Sequence, residues 1–217
     1  MLADPAEDHS RKKYDNQRDP ALGMYVRDLR TAEVHSAEAA QELINTGHTH
    51  RSVGVTNLNE QSSRSHMVLT ITVLTTNVRS GQRFVGKLSL CDLAGSERLS
   101  KIDTKGQALK ETQAINKSLS ALGAVLNGLA RNDGHVPYRD SKLTYLLQDS
   151  LGGNAKTLMM VACGPTKDSS SETVSSLQFA SRAKAVTMGP AKANQKPKEK
   201  AEQAARPITR AAPRTEI

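Results

Sequence analysis

The chain has 217 residues, of which 37% are hydrophobic and only 3% aromatic, with no tryptophan and a net charge of +8. That length allows one domain, or one domain and a tail, around a core of Leu, Val, Ile and Ala. The charge favours an acidic partner, whereas the scarcity of rings to stack on bases argues against nucleic acid, and no apolar run approaches the roughly 18 residues of a membrane span.

Residues 1–20 are polar and read as a flexible lead-in. Ser36 is placed to cap a helix through about Ile44, with Gly47 as its stop, and His48 and His50 read as loop residues beyond it. Met67, Leu69, Ile71 and Val73 alternate with less apolar neighbours, which predicts a strand. "NVRSGQ" turns the chain and "RFVGKLSLCD" reads as a second strand, so 67–92 is an expected hairpin. Ile115, Leu119, Leu122, Leu126 and Leu129 fall on one face of a long helix. Leu143, Leu146 and Leu147 begin another. "TLMMVAC", 157–163, has the continuous apolar character of a strand buried on both faces. Ser169 and Glu172 suggest a capping box for a last helix to about Ala185. Cys91 and Cys163 each end an apolar run and read as small buried hydrophobes of a reducing compartment, and no Cys/His spacing matches a zinc site. No leader peptide is recognisable, and the reading is a soluble intracellular protein. From residue 189 onward seven Lys/Arg stand against three Glu among Pro and Ala, the composition of a basic disordered tail.

Chemistry concentrates in two stretches. In "LSLCDLAGSE", 88–97, a strand delivers Asp92 at its C-terminal end, and Gly95 follows three residues later. Ligands of α/β sheets bind outside the carboxyl ends of strands. A carboxylate there can hold Mg2+ through water, and a glycine lets a backbone N–H approach a phosphate. Many nucleotide hydrolases sense the terminal phosphate with such an Asp-x-x-Gly arrangement, although a strand ending in Asp before a Gly turn is ordinary when taken alone. In "NEQSSRSHMVLTI", 59–71, Ser62 and Ser63 offer hydroxyls to a metal or phosphate, and Arg64 carries a planar fork able to clamp Glu97.

Together, "NEQSSRSH" and "DLAGSE" resemble the two switch segments of kinesin motor domains. The likeness continues through "LKETQAINKSLSALG", "HVPYRDSKLTYLLQDSLGGNAKTL" and "SLQFASRAKAV", covering roughly residues 30 to 195. "GPAKANQK" after the last helix is similar to the class whose motor sits at the C-terminus and is usually minus-end-directed, whereas "YRDSK" and "VACGP" depart from the "YRNSK" of that class and the usual "V-x-V-S-P". The resemblance implies an α/β fold, the C-terminal part of a kinesin-type P-loop NTPase with a central, mostly parallel sheet flanked by helices. It implies ATP and Mg2+ as ligands. Ser62 and Ser63 would face the γ-phosphate and magnesium, Arg64 would pair with Glu97, and Asp92 would hold magnesium through water. The Gly95 N–H would read the γ-phosphate, Asn59 would position the first switch, and Asn116 would support the second.

A kinesin also needs a Walker loop, G-x-x-x-x-G-K-[ST], to cradle the phosphates. Gly81–Lys87 nearly matches, but Leu88 replaces the hydroxyl residue and the segment runs into a strand; "GGNAKT", 152–157, has the wrong spacing. In kinesins that loop lies N-terminal to every motif found in this sequence, so the first strands and the adenine pocket are expected to be missing with it. A strand of that missing part would lie between those ending at Cys91 and Cys163. Alone, the chain is expected to fold poorly and not to hydrolyse ATP.

The long helix carries Lys117 and Arg131 on a second face, and "YRDSK" follows its end. The resemblance assigns Lys117, Tyr138, Arg139 and Lys142 to the contact with acidic tubulin, joined by Lys101 and Lys105. Three readings follow: a microtubule motor when complete, a non-enzymatic microtubule-binding module, and a nucleic-acid binder motivated by charge alone. The first is preferred, as a partial motor domain over residues 21–188, cytoskeletal, with a possible dimer through a stalk outside this sequence.

Overall fold

A computed structural model describes residues 14–19, 23–52, 65–95, 107–152, 154–187 and 195–196. Five strands are present among them: β1 (Asn16–Asp19), β2 (Gly23–Val26), β3 (Met67–Thr76), β4 (Arg83–Asp92) and β5 (Gln195–Lys196). Five α-helices accompany them: α1 (Ala37–Ser52), α2 (Gln107–Arg131), α3 (Lys142–Leu146), α4 (Gln148–Leu151) and α5 (Ser170–Lys184). Short 3-10 turns occupy Tyr138–Asp140 and Lys167–Ser169. The chain divides into two compact units, one of Met1–Ser62, Ile71–Leu88 and Asn194–Ile217, the other of Ser63–Thr70 and Ser89–Ala193.

In the first unit β1 pairs antiparallel with β2, in the register Asn16↔Val26 to Asp19↔Gly23. Part of the expected lead-in therefore lies in a strand. Met24 is 1% exposed, and its carbonyl accepts a hydrogen bond from Lys87 Nζ. The lysine of the near-miss phosphate loop is thus turned to a backbone carbonyl, and Arg83 onward is strand, as expected. The β3–β4 hairpin forms as predicted. Asn77 Oδ1 accepts from the N–H groups of Arg79 and Ser80 at 3.0 and 3.1 Å, and Gly81 takes a φ of 66°, the left-handed geometry that closes the turn. β4 pairs antiparallel with β5, Arg83 opposite Lys196. The described strands thus form hairpins and antiparallel pairs.

α1 begins where expected, with Ser36 Oγ accepting from the Ala39 N–H at 3.1 Å. It does not stop at Gly47 but runs to Ser52, carrying His48 in the helix rather than in a loop. Glycine in a helix costs only about 1 kcal/mol, and one such penalty does not end a segment that otherwise propagates.

The second unit is built on α2. Its predicted face is the one buried: Ile115, Ala121, Leu122, Val125 and Leu126 are 0–8% exposed. Leu122, Val125 and Leu126 meet Leu143, Leu147 and Leu151 of α3 and α4 in one cluster, with Val68, Phe179 and Ala183 packed on it. Asn132 ends the helix with φ 56°, and the Asp133 N–H reaches back to the Gly128 carbonyl at 3.0 Å, a Schellman-type stop. α3 starts on a capping box: Ser141 Oγ accepts from the Thr144 N–H, and Thr144 Oγ1 from the Ser141 N–H.

Three expectations fail. Residues 157–163 are not a strand, and only Met159 joins the core while Leu158 and Met160 are 86% and 89% exposed. An apolar run becomes a buried strand only when neighbours pair its backbone and cover both faces, and none of the described strands does so. Cys91 and Cys163 are exposed for the same reason: the ends of their segments are uncovered. The Ser169–Glu172 capping box is not formed. Ser169 closes a 3-10 turn with φ −91° and ψ 2°, and its hydroxyl turns back to the Thr166 carbonyl at 2.9 Å, although the helix itself forms as predicted.

Gly152 sits under the Tyr138 hydroxyl, which would lie 2.6 Å from an added Cβ. Gly152→Ala is therefore expected to cost about 1–3 kcal/mol by overpacking. Adding Tyr138→Phe should recover most of that loss, as read by denaturant unfolding; equal stability of the single and double variants would refute the contact.

Candidate functional site

β4 ends at Asp92, as predicted, and the chain continues through Leu93, Ala94 and Gly95 without regular structure. Asp92 is exposed, Ala94 is buried and Gly95 is half-buried. The Ala94 amide, shielded from solvent, needs an acceptor. It finds one in His66, the residue immediately before β3: Ala94 N–H donates to His66 Nδ1 at 3.0 Å. The other ring nitrogen, Nε2, lies 2.6 Å from Ser118 Oγ on α2. Ser118 in turn donates to the Ile115 carbonyl at 2.6 Å.

This chain of bonds fixes the proton. Nδ1 accepts, so the neutral ring carries its hydrogen on Nε2 and donates it to Ser118, whose own hydrogen goes to Ile115. Burial pushes the His66 pKa down from its ordinary 6.5, in keeping with a neutral ring. Three segments distant in sequence, the start of β3, the loop after β4 and the middle of α2, are joined at one imidazole.

Asn116 lies two residues before Ser118 on α2 and is half-buried; Lys117 is exposed. Beyond α2, Tyr138 is half-buried, Arg139 is exposed in the same 3-10 turn, and Lys142 is exposed at the start of α3. Arg139 stacks over the Tyr145 ring, 5.6 Å from its centroid, which orients the guanidinium without burying it. Thr144, fully buried, donates to the Tyr138 carbonyl at 2.8 Å and so locks the 3-10 turn that carries Tyr138 and Arg139 onto α3. Burial raises the Tyr138 phenol pKa. The basic surface is therefore held by the same core that buries α2.

Asn59, Ser62, Ser63, Arg64, Glu97, Lys101 and Lys105 lie outside the described residues, so the expected hydroxyl cluster and the Arg64–Glu97 clamp carry no geometry. Among the described residues no group of three His, Cys, Asp or Glu side chains could hold a metal ion. Asp92 at the end of β4 is an exposed carboxylate, the type of group that can hold Mg2+ through water. No described helix is long and apolar enough to cross a membrane.

A family model described as the kinesin motor domain matches residues 2–186. The chain belongs to the kinesin motor-domain family. It is 47% identical over 187 residues to Kinesin-like protein KIN-14E of Oryza sativa subsp. japonica, covering 86% of this chain and 17% of that one. It is 51% identical over 168 residues to KIN-14R of Arabidopsis thaliana, covering 77% and 16%. These relatives agree with the C-terminal-motor class expected from "GPAKANQK". Among solved structures, a fast kinesin superposes with a TM-score of 0.73 at 40% identity over 94% of this chain and 56% of its own. The Kar3 motor domain of Saccharomyces cerevisiae superposes with a TM-score of 0.68 at 40% identity, covering 80% and 54%. A KIF14 dimer solved with AMP-PNP on a microtubule gives 0.77 at 38% identity, covering 89% and 56%. This kinesin chain thus spans about half of the solved motors and a fifth or less of these two plant relatives.

Sequence reasoning missed His66. The available signal was its place, a histidine at the step from a hydroxyl-rich stretch into an apolar strand.

Because the folded pKa of His66 is lowered, its neutral form contributes stability that is fully present above about 6.5 and is lost as pH falls through the folded value. The melting temperature of the chain is expected to fall as pH drops below about 6.5, and less steeply in His66→Gln. Parallel pH profiles for the two proteins would remove the histidine from the account.

Proposed function

We propose that this chain is part of a microtubule motor in which ATP binding and hydrolysis by the complete protein are coupled to microtubule binding and movement. The observation that carries the reading is the hydrogen-bonded path from the Asp92–Gly95 loop through His66 to α2, the helix whose core also packs Tyr138, next to the exposed Arg139. In this reading Asp92 holds magnesium through water and the Gly95 N–H reads the γ-phosphate. Ser62, Ser63 and Asn59 form the facing switch, Arg64 and Glu97 latch the two switches, and Asn116 braces the second. When bound, Mg-ATP supplies the phosphoanhydride whose terminal phosphoryl group is transferred to water. The residues of this chain position that group and register its presence at α2.

Lys117, Tyr138, Arg139 and Lys142 form the tubulin contact, with Lys101 and Lys105 beside it. The physics is attraction of exposed cations to an acidic lattice, screened beyond about 8–10 Å at physiological salt. The kinesin-14 likeness supports a C-terminal motor, minus-end direction and an association with cytoskeletal microtubules. Residues 21–188 make up the motor portion and 189–217 a basic tail, with dimerisation through a stalk elsewhere in the protein. These 217 residues contain no Walker loop, so ATP turnover belongs to a protein that supplies one.

Co-sedimentation with microtubules tests the surface. Arg139→Ala and Lys142→Ala should each weaken binding about two- to fivefold, as expected for an exposed ionic contact, and flatten its salt dependence. Binding unchanged in both variants would exclude the Arg139–Lys142 surface.

In a complete motor, Arg64→Ala or Glu97→Ala should leave ATP binding intact and lower hydrolysis by at least about a hundredfold. Ordinary turnover in either variant would sink the latch.

A further inference from the structure

We propose that His66 is a positioning residue that fixes the Asp92–Gly95 loop to α2 through one specific tautomer, so that the state of the loop and the state of the helix are set together. The inference rests on the motor reading for its purpose, but not for its geometry. Ala94 is 5% exposed, and its N–H donates to His66 Nδ1. His66 Nε2–H donates to Ser118 Oγ, and Ser118 donates to the carbonyl of Ile115, itself 8% exposed. Each member has one role and the roles run in one direction. An apolar residue of the same size at position 66 would leave the buried Ala94 amide without its acceptor. A side chain with only a donor or only an acceptor would satisfy one end and orphan the other.

The direction matters for mechanism. Ala94 stands between Asp92 and Gly95, the two residues assigned to magnesium and the γ-phosphate. Ser118 stands two residues from Asn116 and one from Lys117 on α2. A shift of the loop that moves the Ala94 N–H breaks its bond to Nδ1 and frees the ring to turn, and the turning ring releases Ser118. A shift of α2 acts in the reverse order. Such reciprocity is what any coupling free energy requires. A hydrogen-bonded relay held by directional contacts over 28 and 52 residues of sequence separation supplies it with defined geometry.

The test substitutes the far end of the relay and reads the near end. Ser118→Ala removes one hydroxyl from α2 and touches neither Ala94 nor its acceptor atom. In the full 217-residue chain, amide exchange at Ala94 should become at least about fivefold faster, the loss expected when a hydrogen bond loses its orienting partner. Ser118→Thr, which restores the hydroxyl, should return it toward the original rate. Nitrogen-resolved NMR of the His66 ring should find the proton on Nε2 in the unsubstituted chain and a mixture of tautomers in Ser118→Ala. Exchange at Ala94 that is indifferent to Ser118→Ala would overturn the proposal, as would a ring protonated on Nδ1. So would a Ser118→Thr variant that exchanges as fast as Ser118→Ala. Microtubule co-sedimentation of the unsubstituted chain judges the motor reading separately. A chain that ignores microtubules but keeps a Ser118-dependent Ala94 amide would retain the relay and lose its assigned purpose.

Discussion

The apolar stripe along α2 is the constraint from which the second unit is assembled. Leu122, Val125 and Leu126 are withdrawn from water against Leu143, Leu147 and Leu151, and each such burial is worth about 1.5–3 kcal/mol. No single polar contact in the unit competes with that sum. It fixes where α3 begins and hence where Tyr138 and Arg139 stand. It also fixes which face of α2 presents Ser118 to His66. Gly123 lets α5 come close, with Arg182 and Phe179 at 3.3 and 3.5 Å from where a Cβ would lie. The turn bearing Tyr138 and Arg139 and the helix that starts at Lys142 are therefore held against α2 by a force that has no direction of its own.

Direction comes from two polar nodes set into that packing. Thr144 is fully buried, with its hydroxyl bonded to the Tyr138 carbonyl and to the Ser141 N–H. It turns a loose loop into a fixed mount for a basic side chain. His66 plays the corresponding part on the other side, satisfying a buried amide and reaching α2 at once. A buried polar group left unpaired costs roughly 1–3 kcal/mol, so each node admits few alternatives in its surroundings. The hydrophobic cluster supplies the stability and these nodes supply the geometry.

The exposed apolar side chains follow a different logic. Val73 and Leu74 on β3, Leu88 and Leu90 on β4, and Leu158 and Met160 beyond α4 face outward among the described residues. Strand-forming residues are chosen for a half-buried pleated surface, and whether the surface is covered depends on what packs on it. β3 and β4 form without that cover because a hairpin satisfies its own backbone through a tight turn at Asn77–Gly81. The run at 157–163 has no such local partner, and it stays irregular despite an equally apolar composition.

Local pattern alone was enough for the elements whose physics is local. The periodic leucines of α2, the β3–β4 turn, the Ser36 cap and the strand ending at Asp92 were all legible, because spacing and turn chemistry decide them within a few residues. The family was legible too, from motifs quoted in order. Tertiary structure decided what depends on distant neighbours. Gly47 was carried inside a helix, Ser169 was turned away from its cap, and Cys91 and Cys163 were left exposed. His66 is the clearest case. Its partners are 28 and 52 residues away, and a donor or acceptor that distant has no signature in the residues flanking the ring, since hydrogen bonds are set by atoms within about 3 Å and not by order along the chain.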